Sequence, residues 1–333
     1  MSDLAPSSSS MPDPALFRAE LLDRKAHLHA VQARMPQVGE VSRLLQEIDA
    51  ALGRMNEGTF GLCTVCHDAI EADRLRADPL TTLCLDHLTP AQARALEGDL
   101  ELAVRIQTTL LPARHVSLGG WDAAFVYEPA AIVSGDYCDF ISVGGSLVFL
   151  LADVSGKGVA ASLLMSHLHA IFHTLVPMGL PLTQLLQHAN RVFCESTLPS
   201  HYATLMCGRA SPTGEVEVCN AGHCPPLVVR DDETSVIAPS ALPLGFFADS
   251  QYATETIRLA PGDTLLLYTD GLTEALDASG RDYGVERLEG RVKALQHEPV
   301  THWPRLVLDD VSAFRAAGQR HDDVTVMALR RKA

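Results

Sequence analysis

The sequence predicts an α+β layered domain behind a smaller helical and metal-binding module. Three observations carry this. The first is length: 333 residues is about two domains, or one large domain plus a module. The second is a change of texture after Pro112. Short runs rich in Val, Leu, Phe and Thr there alternate with Gly/Asp turns, and helices come only at intervals. The third is a clustering of cysteines, with three of the eight between residues 63 and 84.

Composition narrows the function classes. Hydrophobic residues are 47% and charged residues 20%, with 23 Gly and 19 Pro, which is ordinary globular usage and excludes fibrous or wholly disordered chains. The net charge is -15, and neither side of Pro112 carries a basic excess, so no nucleic-acid partner is expected. The Ser/Pro-rich start lacks the basic and apolar parts of a signal peptide, which predicts a cytoplasmic protein. Gly158 to Asn190 is free of Asp, Glu, Lys and Arg, but Ser166, His167, His169, His173 and Thr174 interrupt it. It reads as a buried helix, and no membrane partner is expected.

Residues 1–13 read as a disordered tail. Apolar residues at helical intervals predict helices over Pro14 to Arg34 and about Val38 to Met55, forming a hairpin over 14–57. Asn56 and Gly58 stop the second helix. A zinc module is expected over 58–88. A linker helix over 89–112 starts with Thr89 as cap and Pro90 in the first turn. Its Leu96, Leu100, Ala103, Ile106 and Leu110 form a seam, for either a homodimer or docking on the next domain. Within 113–333, nine strands are expected: Trp121–Tyr127, Cys138–Val143, Leu147–Val154, Tyr202–Arg209, Glu215–Asn220, Leu227–Arg230, Thr254–Leu259, Thr264–Asp270 and Val324–Leu329. Helices are expected near 157–176, 182–197, 284–296 and 302–317.

Cys63-Thr-Val-Cys66, then Cys84-Leu-Asp-His87, has the spacing of a structural zinc site. Each pair sits on a tight knuckle, and the two pairs close a tetrahedron. Metal binding explains how a segment with so little apolar content folds. A redox dithiol would need a strand before Cys63, and Gly58–Leu62 is a poor one. The run from Gly58 through His87, behind a helical hairpin, resembles the DksA/TraR-type zinc finger, whose usual fourth cysteine is His87 here.

Four short motifs punctuate the C-terminal domain: Ser134-Gly-Asp-Tyr-Cys-Asp139, Asp153-Val-Ser-Gly-Lys-Gly158, Tyr268-Thr-Asp-Gly-Leu-Thr-Glu274 and His321-Asp-Asp-Val-Thr325. Asp153 and Asp270 end apolar runs, and Asp322 and Asp323 begin one. Carboxylates gathered at strand ends repel one another unless cations lie among them. An all-oxygen donor set favours Mg²⁺ or Mn²⁺, and its carboxylate count suits two ions.

With Asn220-Ala-Gly-His223 between them, these motifs resemble, in order, the PPM-type Ser/Thr protein phosphatases of the SpoIIE/RsbU-like branch. Arg105-Ile-Gln-Thr-Thr-Leu-Leu-Pro112 is similar to the linker that precedes that branch's catalytic domain. The resemblance implies a sandwich of two antiparallel sheets flanked by helices. It implies that Asp136, Asp153, Asp270 and Asp322 bind two ions, with Asp153 bridging and Val154 giving its carbonyl. Asp139 and Asp323 would be outer partners. A hydroxide held by the ions would attack the phosphorus of a phosphorylated protein, such as an anti-sigma-factor antagonist. The alternative is a non-enzymatic zinc-containing adaptor or transcription-associated protein on the same scaffold.

Other features read as structural. Gly156-Lys-Gly158 lacks the phosphate-loop spacing, and Lys157 reads as a solvated helix start, with a place near the substrate phosphate as the alternative. His169 and His173, four apart, read as part of a solvated helix face. His223 and the cysteines from Cys138 to Cys224 read as buried structural residues.

Overall fold

The computed structural model describes residues 14–34, 39–198, 200–231, 233–316 and 322–332. The expected tail over 1–13 and His321 lie outside the described residues. The described chain divides into two compact units, the first ending at Asp99 and the second beginning at Leu100.

The first unit opens with helices α1 (Pro14–Arg34) and α2 (Gly39–Glu57). Leu21, Ile48 and Ala51 are buried where the two helices meet, as their spacing predicts. Gly58, at φ 71°, ends α2 in left-handed geometry. The Cys-rich segment follows, with a short helix α3 (Ala72–Ala77) between its two knuckles. Phe17 packs against Phe60 with ring centroids 5.6 Å apart and the rings tilted, joining α1 to a small core of Cys63, Ile70, Leu75 and Cys84. Helix α4 (Pro90–Leu110) opens with a capping box. The Gln92 N–H donates to Thr89 Oγ1 at 3.3 Å, and the Thr89 N–H donates back to Gln92 Oε1 at 3.0 Å. Of the expected seam, Leu96 and Ile106 are exposed, and Leu100, Ala103 and Leu110 are half-buried.

The second unit is a sandwich of two antiparallel sheets flanked by helices. One sheet has the order β1 (His115–Leu118), β2 (Trp121–Glu128), β11 (Val324–Arg331), β10 (Thr264–Tyr268), β7 (Leu227–Arg230), β8 (Glu233–Val236). The other has the order β3 (Tyr137–Val143), β4 (Ser146–Val154), β5 (Ala203–Ala210), β6 (Glu215–Ala221), β9 (Glu255–Arg258). Trp121, Phe125, Leu265, Leu267 and Met327 from the first sheet meet Cys138, Phe149, Leu151, Met206 and Val218 from the second. Alternate residues of the same strands point outward and are covered by helices. α5 (Gly158–Leu175) and α6 (Leu182–Ser196) lie over the five-stranded sheet, on Tyr137, Leu150 and Leu205. α8 (Val285–Ala294) and α9 (Trp303–Phe314) lie over the six-stranded sheet, on Val126, Leu266 and Val326.

By length and composition alone α5 could cross a membrane. Here Ala161, Met165, Leu168, Ile171 and Phe172 are buried, so its apolar stripe is spent on the sheet.

The predicted strands are all present. Two short ones, β1 and β8, were not expected, nor was α3. The expected strand Thr264–Asp270 stops at Tyr268, because Asp270 instead begins the single-turn helix α7 (Asp270–Thr273).

Candidate functional site

Four chain segments bring carboxylates to one end of the sandwich. Asp136 directly precedes β3 and Asp153 is the penultimate residue of β4. Asp270 opens α7 immediately beyond β10, and Asp322 and Asp323 lead into β11. β3 pairs with β4 and β10 with β11, so the four segments arrive as two hairpin-like pairs, one from each sheet.

The electrostatics record the crowding. Burial, then Asp270, Asp322 and Asp323, push Asp153 up to about 7, against the pull of Lys157. Burial and the Asp153 charge hold Asp136 well above the ordinary carboxylate range. Asp270 is likewise raised, by burial and by Asp322. Lys157 Nζ, at the start of α5, donates to Asp322 Oδ2 at 2.7 Å. Lys157 takes the N-cap position of α5 with its side chain 72% exposed, and it also pairs with Asp322.

The surrounding structure fixes these side chains. Asp136 is buried, and its Oδ2 accepts from Thr325 Oγ1 at 2.6 Å and from Thr269 Oγ1 at 3.0 Å. Asp323 braces the preceding loop, accepting from the Ala130 N–H at 2.7 Å and the Gly135 N–H at 3.0 Å. A Cβ on Gly135 would lie 3.1 Å from the Val154 carbonyl oxygen, so glycine lets that carbonyl lie against the Asp136 loop. A Cβ on Gly271 would stand 2.2 Å from the Asp323 carbonyl oxygen, which explains the glycine after Asp270. Gln107, buried near the end of α4, donates to the Ser134 carbonyl at 2.7 Å. Its Oε1 accepts from the Ser134 N–H at 3.1 Å and the Tyr127 hydroxyl at 2.9 Å. His223 is buried beside this end of the sheet, with Nδ1 2.8 Å from Thr204 Oγ1. Burial pulls it down to about 4, and its buried Nε2 has no hydrogen-bond partner among the described residues.

Asp139 departs from its expected place. It is three residues from Asp136, and strand alternation turns it with Tyr137 to the helix-covered face. There its Oδ2 accepts from the Tyr137 hydroxyl at 3.0 Å and lies 2.7 Å from His173 Nε2. It is therefore not an outer partner of the Asp136 cluster. His169 and His173 are not simply a solvated face either, since their rings stack at 4.0 Å against this buried carboxylate.

Thr269, Thr325 and Gln107 were missed as site residues. All three lie inside the quoted motifs, Gln107 in the linker run. Gln107 could have been found as a polar residue on the inward side of a linker helix.

In the first unit, the ligand atoms of Cys63, Cys66, Cys84 and His87 all lie within 4.8 Å of one another. Cys66 Sγ is 3.8 Å from Cys84 Sγ, and Cys84 Sγ is 3.1 Å from His87 Nδ1. A tetrahedron with Zn–S bonds of about 2.3 Å has an S···S edge of about 3.8 Å, so the four residues fit zinc. Burial disfavours the Cys63 thiolate. The backbone N–H groups of Cys66, Cys84 and Val65 outweigh it and hold the thiol down at about 6.

Residues 143–332, more than half of the chain, match the family model of Stage II sporulation protein E (SpoIIE). The chain belongs to the SpoIIE family. Residues 58–86 match the prokaryotic dksA/traR C4-type zinc finger, a match that ends one residue before His87. The chain is similar to the phosphoserine phosphatase RsbU of Bacillus subtilis, with 27% identity over 71% of each chain. It is also similar to the phosphoserine phosphatase RsbP of Bacillus subtilis, at 26% identity over 68% of this chain and 56% of that one. It spans 41% of the length of a third relative, protein IcfG of Synechocystis. Among solved structures, the RsbU and RsbW domains of a Mycobacterium tuberculosis protein align with a TM-score of 0.59. Identity there is 27%, over 67% of this chain and 63% of that one. The SiaA-PP2C domain of Pseudomonas aeruginosa aligns with a TM-score of 0.64 at 19% identity, over 73% of this chain and 99% of that one, and shows the same fold. The second unit of this SpoIIE-family chain is thus a PPM-type protein phosphatase domain.

The raised carboxylates give this domain a pH signature. A carboxyl held above its ordinary range binds its proton more tightly folded than unfolded. Its stabilising contribution is full below the ordinary carboxylate range and is lost as pH climbs toward about 7, the value for Asp153. With zinc retained but no Mg²⁺ or Mn²⁺ added, the melting temperature should fall between about pH 5 and about pH 8 through these groups. Added Mn²⁺ should raise it more at the upper end than at the lower, where protons compete for the ligands. Thermal melts across that range, with and without Mn²⁺, check this.

Proposed function

We propose that the protein is a cytoplasmic, metal-dependent phosphoserine/phosphothreonine protein phosphatase. The observation that carries this is the mutual charge crowding of Asp136, Asp153, Asp270 and Asp322 at one end of the sandwich, with Asp136 buried and Lys157 hydrogen-bonded to Asp322. Their oxygen-only donor set, with the Val154 carbonyl, would hold two divalent ions, Mg²⁺ or Mn²⁺. Such ions supply neutralisation of phosphoryl charge and an activated water for in-line displacement at phosphorus.

The chain's own residues hold that arrangement in register. The Thr269 and Thr325 hydroxyls orient Asp136. Asp323 and Gln107 hold the loop before it at the adjacent residues Gly135 and Ser134. Lys157, 72% exposed, stands at the mouth of the cluster as a cation for the incoming phosphoryl group. The names of RsbU and RsbP support a phosphoserine substrate. A phosphorylated regulator such as an anti-sigma-factor antagonist fits the resemblance. A structural zinc ion in the Cys63–His87 site and a homodimer through α4, whose seam residues Leu96 and Ile106 are exposed, belong to the same proposal.

Hydrolysis of an aryl phosphate and of phosphoserine peptides, with and without Mn²⁺, tests the reading. Mn²⁺-dependent turnover supports it. No turnover with either ion leaves the non-enzymatic scaffold.

Gln107→Leu is expected to lower kcat by roughly 10- to 100-fold, because a displacement of about 1 Å in positioning groups has that scale of effect. Three buried hydrogen bonds to the Ser134 loop and Tyr127 are lost, while no carboxylate is touched. Steady-state kinetics at saturating Mn²⁺ check this, and an unchanged kcat would remove Gln107 from the positioning apparatus.

A further inference from the structure

The face of the five-stranded sheet turned away from the aspartate cluster carries a second group of metal-ligating side chains. Asp139 lies on β3, and His169 and His173 lie four apart on α5, so both imidazoles project from one side of the helix. One ligand atom from each of the three residues lies within 4.8 Å of the others. His173 Nε2 and Asp139 Oδ2 are 2.7 Å apart, and the two imidazole rings stack at 4.0 Å. A tetrahedral site with bonds of about 2.0–2.1 Å has edges of roughly 3.3 Å, so small side-chain rotations bring the three ligands onto one ion.

The carboxylate is held as metal-binding carboxylates are. Its side chain is 4% exposed. Oδ1 accepts from the Phe140 N–H at 2.7 Å, and Oδ2 accepts from the Tyr137 hydroxyl at 3.0 Å. Tyr137 is itself buried and stacked on Phe172 of α5, which fixes β3 against the helix at this point. The other side is open, because the His173 side chain is 46% exposed. An ion could therefore enter from solvent and keep a water as its remaining ligand.

We propose that Asp139, His169 and His173 form a binding site for a borderline transition ion, with Zn²⁺ the representative. Two imidazoles and one carboxylate suit such an ion, whereas Mg²⁺ and Ca²⁺ prefer oxygen donors throughout. Binding replaces the Asp139–His173 hydrogen bond, releasing the imidazole proton or shifting it to the ring nitrogen that does not bind. The site is separate from the proposed phosphatase centre, since Asp136 faces Thr269 and Thr325 of the opposite sheet while Asp139 faces α5. It does not depend on the protein having phosphatase activity.

The test is zinc stoichiometry of the full-length protein by equilibrium dialysis, with the cysteine site filled and Mg²⁺ in excess. Wild type should take one further Zn²⁺ equivalent, accompanied by a rise in melting temperature. His169→Ala/His173→Ala should lose both while retaining the cysteine-bound zinc. His188→Ala, at an exposed position on α6, should keep both. Failure of wild type to bind beyond the cysteine site overturns the proposal, whatever the variants do. Binding by the double variant within twofold of wild-type affinity overturns it equally.

Discussion

Asp153→Asn should lower kcat/KM for an aryl phosphate by about 10³-fold or more at saturating Mn²⁺, which corresponds to about 4 kcal/mol of transition-state stabilisation. The expectation rests on position. Burial and the charges of Asp270, Asp322 and Asp323 bear on this one carboxyl and push it up to about 7, and its charge in turn raises Asp136. Asparagine keeps the shape and removes the charge. The variant should therefore fold, and in the absence of Mg²⁺ and Mn²⁺ it should melt no lower than wild type above about pH 7, because like-charge repulsion is relieved. Mn²⁺ should stabilise it much less than it stabilises wild type. A variant with activity within tenfold of wild type would show that Asp153 is not a metal-holding group.

Cys84→Ser should unfold the segment around residues 58–88 and remove one equivalent of zinc. Cys84 Sγ lies between Cys66 Sγ at 3.8 Å and His87 Nδ1 at 3.1 Å, so its loss breaks the set at its middle. The apolar core there is small, built on Phe17, Phe60, Ile70 and Leu75. Metal binding in modules of this kind contributes on the order of 10 kcal/mol, which such a core does not replace. Limited proteolysis should cut the variant between the two knuckles and leave the SpoIIE-family unit, with its own cores, intact. By contrast His87→Cys, which restores the four-cysteine pattern, should retain zinc. Full zinc occupancy in Cys84→Ser would contradict the tetrahedral site.

The sandwich was legible because its strands alternate or run apolar between Gly/Asp turns, and because acidic residues sit where those runs stop. The cysteine knuckles were legible from spacing alone. What escaped depended on direction and distance along the chain. Asp139 shares a motif with Asp136, but an offset of three along extended backbone reverses the face, and β3 delivers it to α5. Lys157 meets Asp322 across 165 residues of sequence, a pairing that no local pattern encodes. Gln107 was quoted within a linker motif, yet its role exists only once the loop at Ser134 folds against α4. β1, β8 and α3 are four to six residues long and carry no apolar run that marks them.

The most direct measurement is anomalous diffraction from crystals of the full-length protein grown with Mn²⁺. The account predicts two manganese peaks about 3.5–4 Å apart, bridged by Asp153 and flanked by Asp136, Asp270 and Asp322. It also predicts that Lys157 no longer contacts Asp322. Manganese absent from this cluster at saturating concentration, with the Lys157–Asp322 pair intact, would contradict it.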